Sequence, residues 1–378
     1  MRLKGTPLTA ALLLALAFGL SALAASEFRE MWTGDVFVPA PGFEKHMLSE
    51  WFEGLKGTPA DNPVYIQKGE EPGGTVLILG GTHPTEPAGM MAAVLFLERA
   101  RVTRGRLIVI PQTNIMGYTH TSPQEGHPQS ISFTAADGGK RTFRFGSRLT
   151  NTLYEWPAPD IYIHPASGQQ LPGKERGNIN RCYPGIPGGS PTEKLAYGIT
   201  QLIIKEKPVL SFDLHEASPE YPVVNAIVAH EKSMELAAMT VMDLEDLGIP
   251  MRLEPSPKNL RGLTHREWGD YTETMPILME TGNPVQGRLR GRTDEKLALT
   301  GEDKAYVKAS ALGRLYIPYD GKQTIEYRAG RHTTAILVFL ENLDLLFEER
   351  GVTVEGVPDL AELEEKGLGF FLSPIEQK

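Results

Sequence analysis

The sequence predicts an α/β fold: a mixed, largely parallel sheet with helices on both faces. Three observations carry this. Apolar runs such as Thr75–Leu79, Leu107–Ile110, Val209–Leu214, Val223–Val228 and Pro276–Met279 have the length and composition of buried strands. Segments of helical periodicity separate most of them. Gly, Pro, Asn and Asp mark the junctions.

In chain order, Arg2 and Lys4 form a basic start, and Ala10–Leu20 is an apolar core too short to span a bilayer comfortably. The small residues Ala22-Leu23-Ala24 follow, so residues 1–24 read as a cleavable export leader. An uncleaved anchor is the alternative. Pro87 opens a helix to about Arg101 between the first two strands. Ser190-Pro191-Thr192-Glu193 is a capping box that starts a helix to about Lys205. Glu231–Leu247 is helical and stops at Gly248, and Thr333–Glu349 is a long amphipathic helix ending before Gly351.

Two stretches break the alternation and read as insertions framing a site. Residues 117–189 hold a predicted hairpin, Ile131–Phe133 against Phe143–Phe145, about Asp137-Gly138-Gly139. Residues 285–330 hold a second about Asp320-Gly321, with Pro318 marking an edge strand. The expected organisation is a leader (1–24), one domain (25–350) and an acidic tail (351–378). Pro358 to Lys366 is expected to form a short surface helix in that tail.

The chain has 378 residues, 41% hydrophobic and 22% charged, as in soluble globular proteins. Its formal charge is −9. Without the leader's Arg2 and Lys4, 36 basic residues face 47 acidic ones, a net −11. Such a protein does not attract nucleic acid. Cys182 is the one cysteine, so no internal disulfide forms and a metal site must use His and carboxylate. Export without disulfides fits a periplasmic or secreted protein, with no stable membrane span once the leader is removed.

Four polar islands interrupt or end the apolar runs: 80–86, 177–181, 213–216 and 279–284. His83 and Glu86 lie where a strand ends and a helix begins, and a turn there brings ligands three residues apart together. His215 closes the run Val209–Leu214, with Asp213 on the same face to orient its ring. Two imidazoles, one carboxylate and an open fourth position make a catalytic zinc site, one Zn2+ per chain. Glu280, at the end of Pro276–Met279, is placed to act as general base and then acid. Glu216 competes for that role, but strand alternation turns it to the other face. Arg181 can grip a carboxylate bidentately, with Asn180 as a neutral donor. Arg176 is a candidate for holding the oxyanion, with Lys174 as a rival.

These motifs resemble the zinc carboxypeptidase (M14-like) superfamily, most closely its succinylglutamate desuccinylase/aspartoacylase branch. Gly-Gly-Thr-His83-x-x-Glu86 resembles the first zinc motif, and Asn180-Arg181 with Tyr183-Pro184-Gly185 the substrate motif. Asp213-Leu214-His215 resembles the last zinc ligand's motif, and Glu280-Thr281-Gly282 the catalytic Glu-x-Gly. Pro84-Thr85 departs from the Gly-Asn or Gly-Asp usual between the first two ligands. The resemblance covers roughly residues 70–285. It implies the family's fold, one zinc ion and hydrolysis of an amide beside a carboxylate. The expected substrate is a small N-acyl amino acid or a peptide with a free carboxylate. The activity is then that of a deacylase or of an exported metallocarboxypeptidase; a zinc-stabilised binding protein without turnover is opposed by the presence of Glu280.

Overall fold

The computed structural model describes residues 6–121, 127–287, 289–317 and 323–375. Among them lie thirteen strands. These are β1 (Phe43–Met47), β2 (Pro63–Lys68), β3 (Glu71–Leu79), β4 (Arg101–Ile110), β5 (Ser130–Thr134), β6 (Lys140–Arg144) and β7 (Ile161–Ile163). They continue with β8 (Gln170–Pro172), β9 (Leu210–Ala217), β10 (Ala226–Ala229), β11 (Arg252–Pro255), β12 (Met275–Gly282) and β13 (Thr353–Glu355). Nine of them form one sheet in the order β1-β2-β4-β3-β9-β12-β10-β11, with β13 on β4. β4, β3, β9 and β12 run parallel; β1, β2, β10 and β13 join antiparallel neighbours. The sheet is mixed and parallel at its centre, as predicted.

Strand alternation explains the layers. Val76 and Ile78 point into a core with Phe212, Leu214 and the helices Pro87–Arg99, Met234–Asp246 and Ile325–Leu346. Leu77 and Leu79 point the opposite way, onto the helices Pro191–Glu206 and Thr264–Tyr271. Helices therefore cover both faces. The capping box holds: Ser190 accepts from the Glu193 amide, and the Glu193 carboxylate from the Ser190 amide.

The chain leaves β3, crosses to β4 on one side, and later returns to place β9 on the other. That reversal opens a crevice beyond the carboxyl ends of β3 and β9, where open α/β sheets bind ligands.

The first predicted hairpin is present as β5–β6, with Ile131 opposite Phe143. Its apolar face packs with Met90, Met91, Val94, Leu363 and Leu368, so the helix Pro87–Arg99 is buried on nearly every side. The Asp320-Gly321 hairpin lies outside the described residues. Around it the structure adds two helices that the sequence did not signal, Glu295–Thr300 and Lys304–Ala311. The C-terminal segment is more than a surface tail. β13 extends the sheet, and the helix Leu360–Lys366 buries Leu360 and Leu363.

An N-terminal helix, Pro7–Arg29, has no buried residue. With a mean hydropathy of 2.2 over its apolar window it is long and apolar enough to cross a membrane, a test that signal sequences also pass. Attachment to the body begins with Met31 and Asp35: Asp35 accepts from the Arg144 amide (2.9 Å) and its Nε (3.0 Å), and the Met31 carbonyl accepts from Arg144 Nη1. Removing residues 1–24 should therefore leave the melting temperature unchanged. Asp35→Ala should cost about 3–5 kcal/mol, because it leaves the buried Arg144 charge uncompensated. Calorimetry of the two proteins checks this, and equal stability would remove the anchoring role of Asp35.

Candidate active site

The turn after β3 is built by glycine. Gly81 has φ +63°, and a Cβ there would lie 2.3 Å from the Tyr118 hydroxyl. The Glu86 amide then bonds the His83 carbonyl at 2.9 Å, folding both side chains to one side before Pro87 starts the helix. β9 supplies Asp213 and His215, and β12 supplies Glu280 opposite His215 in the parallel register. All four islands meet at one crevice.

The protons on the two imidazoles can be placed. His83 Nε2 lies 2.9 Å from Asn178 Oδ1, an oxygen that also accepts from the Asn180 amide, so this nitrogen carries a hydrogen. His215 Nε2 lies 2.7 Å from the Asp213 carboxylate and is likewise a donor. Each Nδ1 then turns a lone pair inward. His83 Nδ1 is 2.9 Å from Glu86 Oε1, His215 Nδ1 is 2.8 Å from Glu86 Oε2, and the two Nδ1 atoms are 3.1 Å apart. The three side chains are buried, with ligand atoms within 4.8 Å of one another.

Such converging lone pairs require a positive charge between them. In the protein alone a proton takes that part. Burial lowers the His215 pKa, but the Asp213 and Glu86 carboxylates outweigh it and hold the ring well above the ordinary histidine range. His83 goes the other way, to about 4, through burial and then the Arg148 guanidinium. Two nitrogens and a carboxylate so arranged fit a divalent cation.

Asp213 is fully buried and accepts from three groups: Thr82 Oγ1 (2.6 Å), Thr264 Oγ1 (2.7 Å) and His215. Burial alone would raise its pKa; His215 and the two hydroxyls outweigh it and keep the carboxylate charged.

Beside this centre lies a cavity of about 420 Å³, lined by His83, His215, Glu280, Asn180, Arg181 and Arg148 among others. Glu280 Oε2 is buried without a hydrogen-bond partner among the described residues. Burial pushes this carboxyl up to about 8, the Glu86 charge adding to it and His215 opposing it. Asn180 uses its Oδ1 to accept from the Thr264 amide (2.9 Å), which leaves its Nδ2 as the donor toward the cavity. Arg181 donates to the Asn180 carbonyl at 2.6 Å and stands 3.9 Å from the Glu175 carboxylate. Burial, with Arg148 next, lowers its pKa: two guanidiniums share one cavity, an arrangement suited to an anion.

The rival base Glu216 and the oxyanion candidate Arg176 are both held by other partners. Glu216 accepts from the Ala88 amide (2.9 Å) and forms a buried pair with Arg328, so it supports the helix Pro87–Arg99. Arg176 does not reach the cavity. Its Nε donates to Glu155 (3.1 Å) and its Nη2 to the Glu155 and Pro157 carbonyls, which fixes the loop. Arg148, which the sequence reading missed, does line the cavity, with Nη1 3.1 Å from Glu86 Oε1. Gln286 Nε2 holds the same oxygen at 3.1 Å. Asn178 belongs to a recognised island but was given no role. Arg148 follows a hairpin in a polar insertion and carries no local signal.

No protein-family model matches the chain. Over 167 residues it is 26% identical to the N-alpha-acetyl-L-2,4-diaminobutyric acid deacetylase of Halomonas elongata, an alignment covering 44% of this chain and 34% of that protein. Among solved structures, it is similar to a succinylglutamate desuccinylase/aspartoacylase from Rhodobacter sphaeroides, with 21% identity and a TM-score of 0.37. That alignment covers 61% of this chain and 54% of the other. A metallo-carboxypeptidase from Burkholderia cenocepacia matches with 11% identity and a TM-score of 0.45, over 81% of this chain and 66% of the other. The chain thus spans about a third of the curated relative and less than two thirds of the Rhodobacter structure.

Removing the charge behind His215 should weaken the hold on a divalent cation placed there. Asp213→Asn is expected to lower zinc affinity about 10–100-fold while the fold persists. In the unaltered protein, affinity should rise with pH through and above the ordinary histidine range, because the cation must displace the proton held on His215. Titration at several pH values measures both; a flat profile would remove His215 from the ligand set.

Proposed function

We propose that this chain is a zinc-dependent hydrolase that cleaves the amide bond of N-acyl amino acids next to a free carboxylate. The observation that carries this is the set of inward lone pairs on His83, Glu86 and His215, beside the Glu280 carboxyl, one oxygen of which is buried, and two guanidiniums. The deacetylase relative supports the same reading by its name.

Zinc bound there supplies Lewis-acid chemistry, polarising a carbonyl and making water more acidic. The chain's own residues do the rest. Arg181 and the Asn180 Nδ2 grip the substrate carboxylate and fix the scissile bond. The Glu280 carboxylate takes a proton from water as the water oxygen adds to the carbonyl carbon. It returns that proton to the nitrogen as the C–N bond breaks, releasing the acid and the free amino acid. A carboxyl whose surroundings move its pKa toward neutrality suits both transfers. Arg148 balances the negative charge that develops on the carbonyl oxygen.

The unburied apolar N-terminal helix favours a second reading of the same chemistry, an exported metallocarboxypeptidase acting on peptides. Residues 1–24 are then an export leader, and the enzyme works in the periplasm or outside the cell. N-terminal sequencing of exported protein should begin just after Ala24; an intact Met1 would refute the leader.

The direct test is a panel of N-acyl amino acids and short peptides incubated with zinc-loaded protein and read by mass spectrometry. Glu280→Gln should retain zinc and lose turnover by about 10²–10⁴-fold. Near-normal turnover would remove Glu280 from the chemistry.

Arg181 tests carboxylate recognition. Arg181→Ala should cost about 2–5 kcal/mol in kcat/KM on an acid substrate, roughly 30-fold or more. The amide of the same substrate should be poor already and little affected, and Arg181→Lys should recover only part. Equal losses on acid and amide would reassign Arg181 to loop support.

A further inference from the structure

His265 also lines the cavity, and no step of the proposed reaction uses it. It is the second residue of the helix Thr264–Tyr271, and the residue before it is fixed by the site. The Thr264 amide donates to Asn180 Oδ1 and its hydroxyl to Asp213. His265 therefore starts from the backbone next to the carboxylate clamp.

Its tautomer is set from behind. His265 Nδ1 is 2.7 Å from Ser256 Oγ, and the same oxygen is 3.0 Å from Arg266 Nε, which can only donate. The serine oxygen accepts from Arg266, so its own hydrogen is free for His265 Nδ1. Among the described residues that hydroxyl is offered no other acceptor. Burial keeps the imidazole neutral, lowering it to about 3, so its one ring hydrogen lies on Nε2. Among the described residues Nε2 has no hydrogen-bond partner, and the ring lines the cavity. The apolar side chains Val228, Leu263 and Leu278 line the same cavity. Ser218, Tyr221 and Glu254 line it too, and the oriented His265 donor beside the apolar side chains is left to a ligand.

The wall is rigid. Arg261 grips the buried Glu267 through Nε and Nη2, each at 2.7 Å, and the Gly262 amide donates to the same carboxylate. Gly262 sits against the Arg181 backbone, where a Cβ would lie 2.2 Å from the Arg181 carbonyl oxygen. The loop bearing the donor is thus locked to the loop bearing the clamp.

We propose that His265 is a specificity-determining residue. Its Nε2–H donates to an acceptor oxygen on the side chain of the amino acid whose carboxylate Arg181 holds. The site then selects side chains ending in a carbonyl, hydroxyl or carboxylate oxygen over hydrocarbons of equal shape. This rests on the carboxylate-clamp reading above.

The test compares asparagine with its isostere leucine, both as free amino acids in binding calorimetry and as N-acetyl derivatives in hydrolysis. The unaltered zinc-loaded protein should prefer the asparagine member by about tenfold or more, since leucine leaves the donor unpaired. His265→Phe should bring the ratio close to one, and His265→Gln, which keeps an N–H donor, should restore part of it. Ser256→Ala keeps the ring but frees its tautomer and should lower the ratio, which covers the case where His265→Phe does not fold. A preference seen in binding and lost in the variants supports the proposal even if nothing is hydrolysed, an outcome that refutes the hydrolase instead. Absence of preference or of any binding, or a preference unchanged in His265→Phe and Ser256→Ala, overturns it.

Discussion

The site depends on a single buried charge, that of Asp213. A carboxylate taken wholly out of water is costly unless donors surround it, and here three do so from three segments. Thr82 belongs to the turn after β3, His215 to β9 itself, and Thr264 to the start of a helix on the other side of the crevice. The charge acts as a clasp between them. It also fixes the His215 tautomer, and with it the direction of the inward lone pair. Through Thr264 it places Asn180, because the same residue's amide holds that side chain. The His215 lone pair, the Asn180 side chain and the pocket wall at Thr264 therefore share one origin.

Much of this was legible because β strands convert sequence spacing into direction. In β9 every residue is buried, yet Asp213 and His215 face one way and Glu216 the other. Alternation alone separates the candidate ligand His215 and its support from a carboxylate that holds a helix through Ala88 and Arg328. The same rule put Glu280 at the crevice edge beside His215. The central strands and the helices between them were visible for a related reason: each buries a full face, so its apolar period is uninterrupted. The hairpin β5–β6 showed through its turn residues.

What escaped reading depends on contacts between distant segments. Arg176 and Arg148 look alike in sequence, each a basic residue in a polar insertion. They differ in what stands nearby after folding. Glu155 and two carbonyls capture Arg176, whereas Arg148 turns toward Glu86. No local pattern distinguishes them. β1 and β2 were missed for a similar reason: they join the sheet at its antiparallel edge and are short and partly polar. The C-terminal segment is acidic in composition, yet its few apolar residues fall where the hairpin and the helix Pro87–Arg99 leave a face uncovered.

The two guanidiniums and the raised carboxyl follow from the same constraint. A divalent cation held by one carboxylate and two neutral rings would leave a net +1, which the Asp213 carboxylate behind His215 offsets, so a bound anion would draw its counter-charge from elsewhere in the cavity. Arg181 and Arg148 both line the cavity; burial first and then the repulsion between them lowers the Arg181 pKa, and an anion would relieve that repulsion. No donor among the described residues reaches Glu280 Oε2, and burial keeps the carboxyl's proton affinity high. Each of these groups would gain from a bound partner. Such unmet interactions are where binding free energy is found, and they concentrate in this cavity because the buried pairs beneath it, Asp213 with His215 and Glu216 with Arg328, hold the surrounding strands rigid.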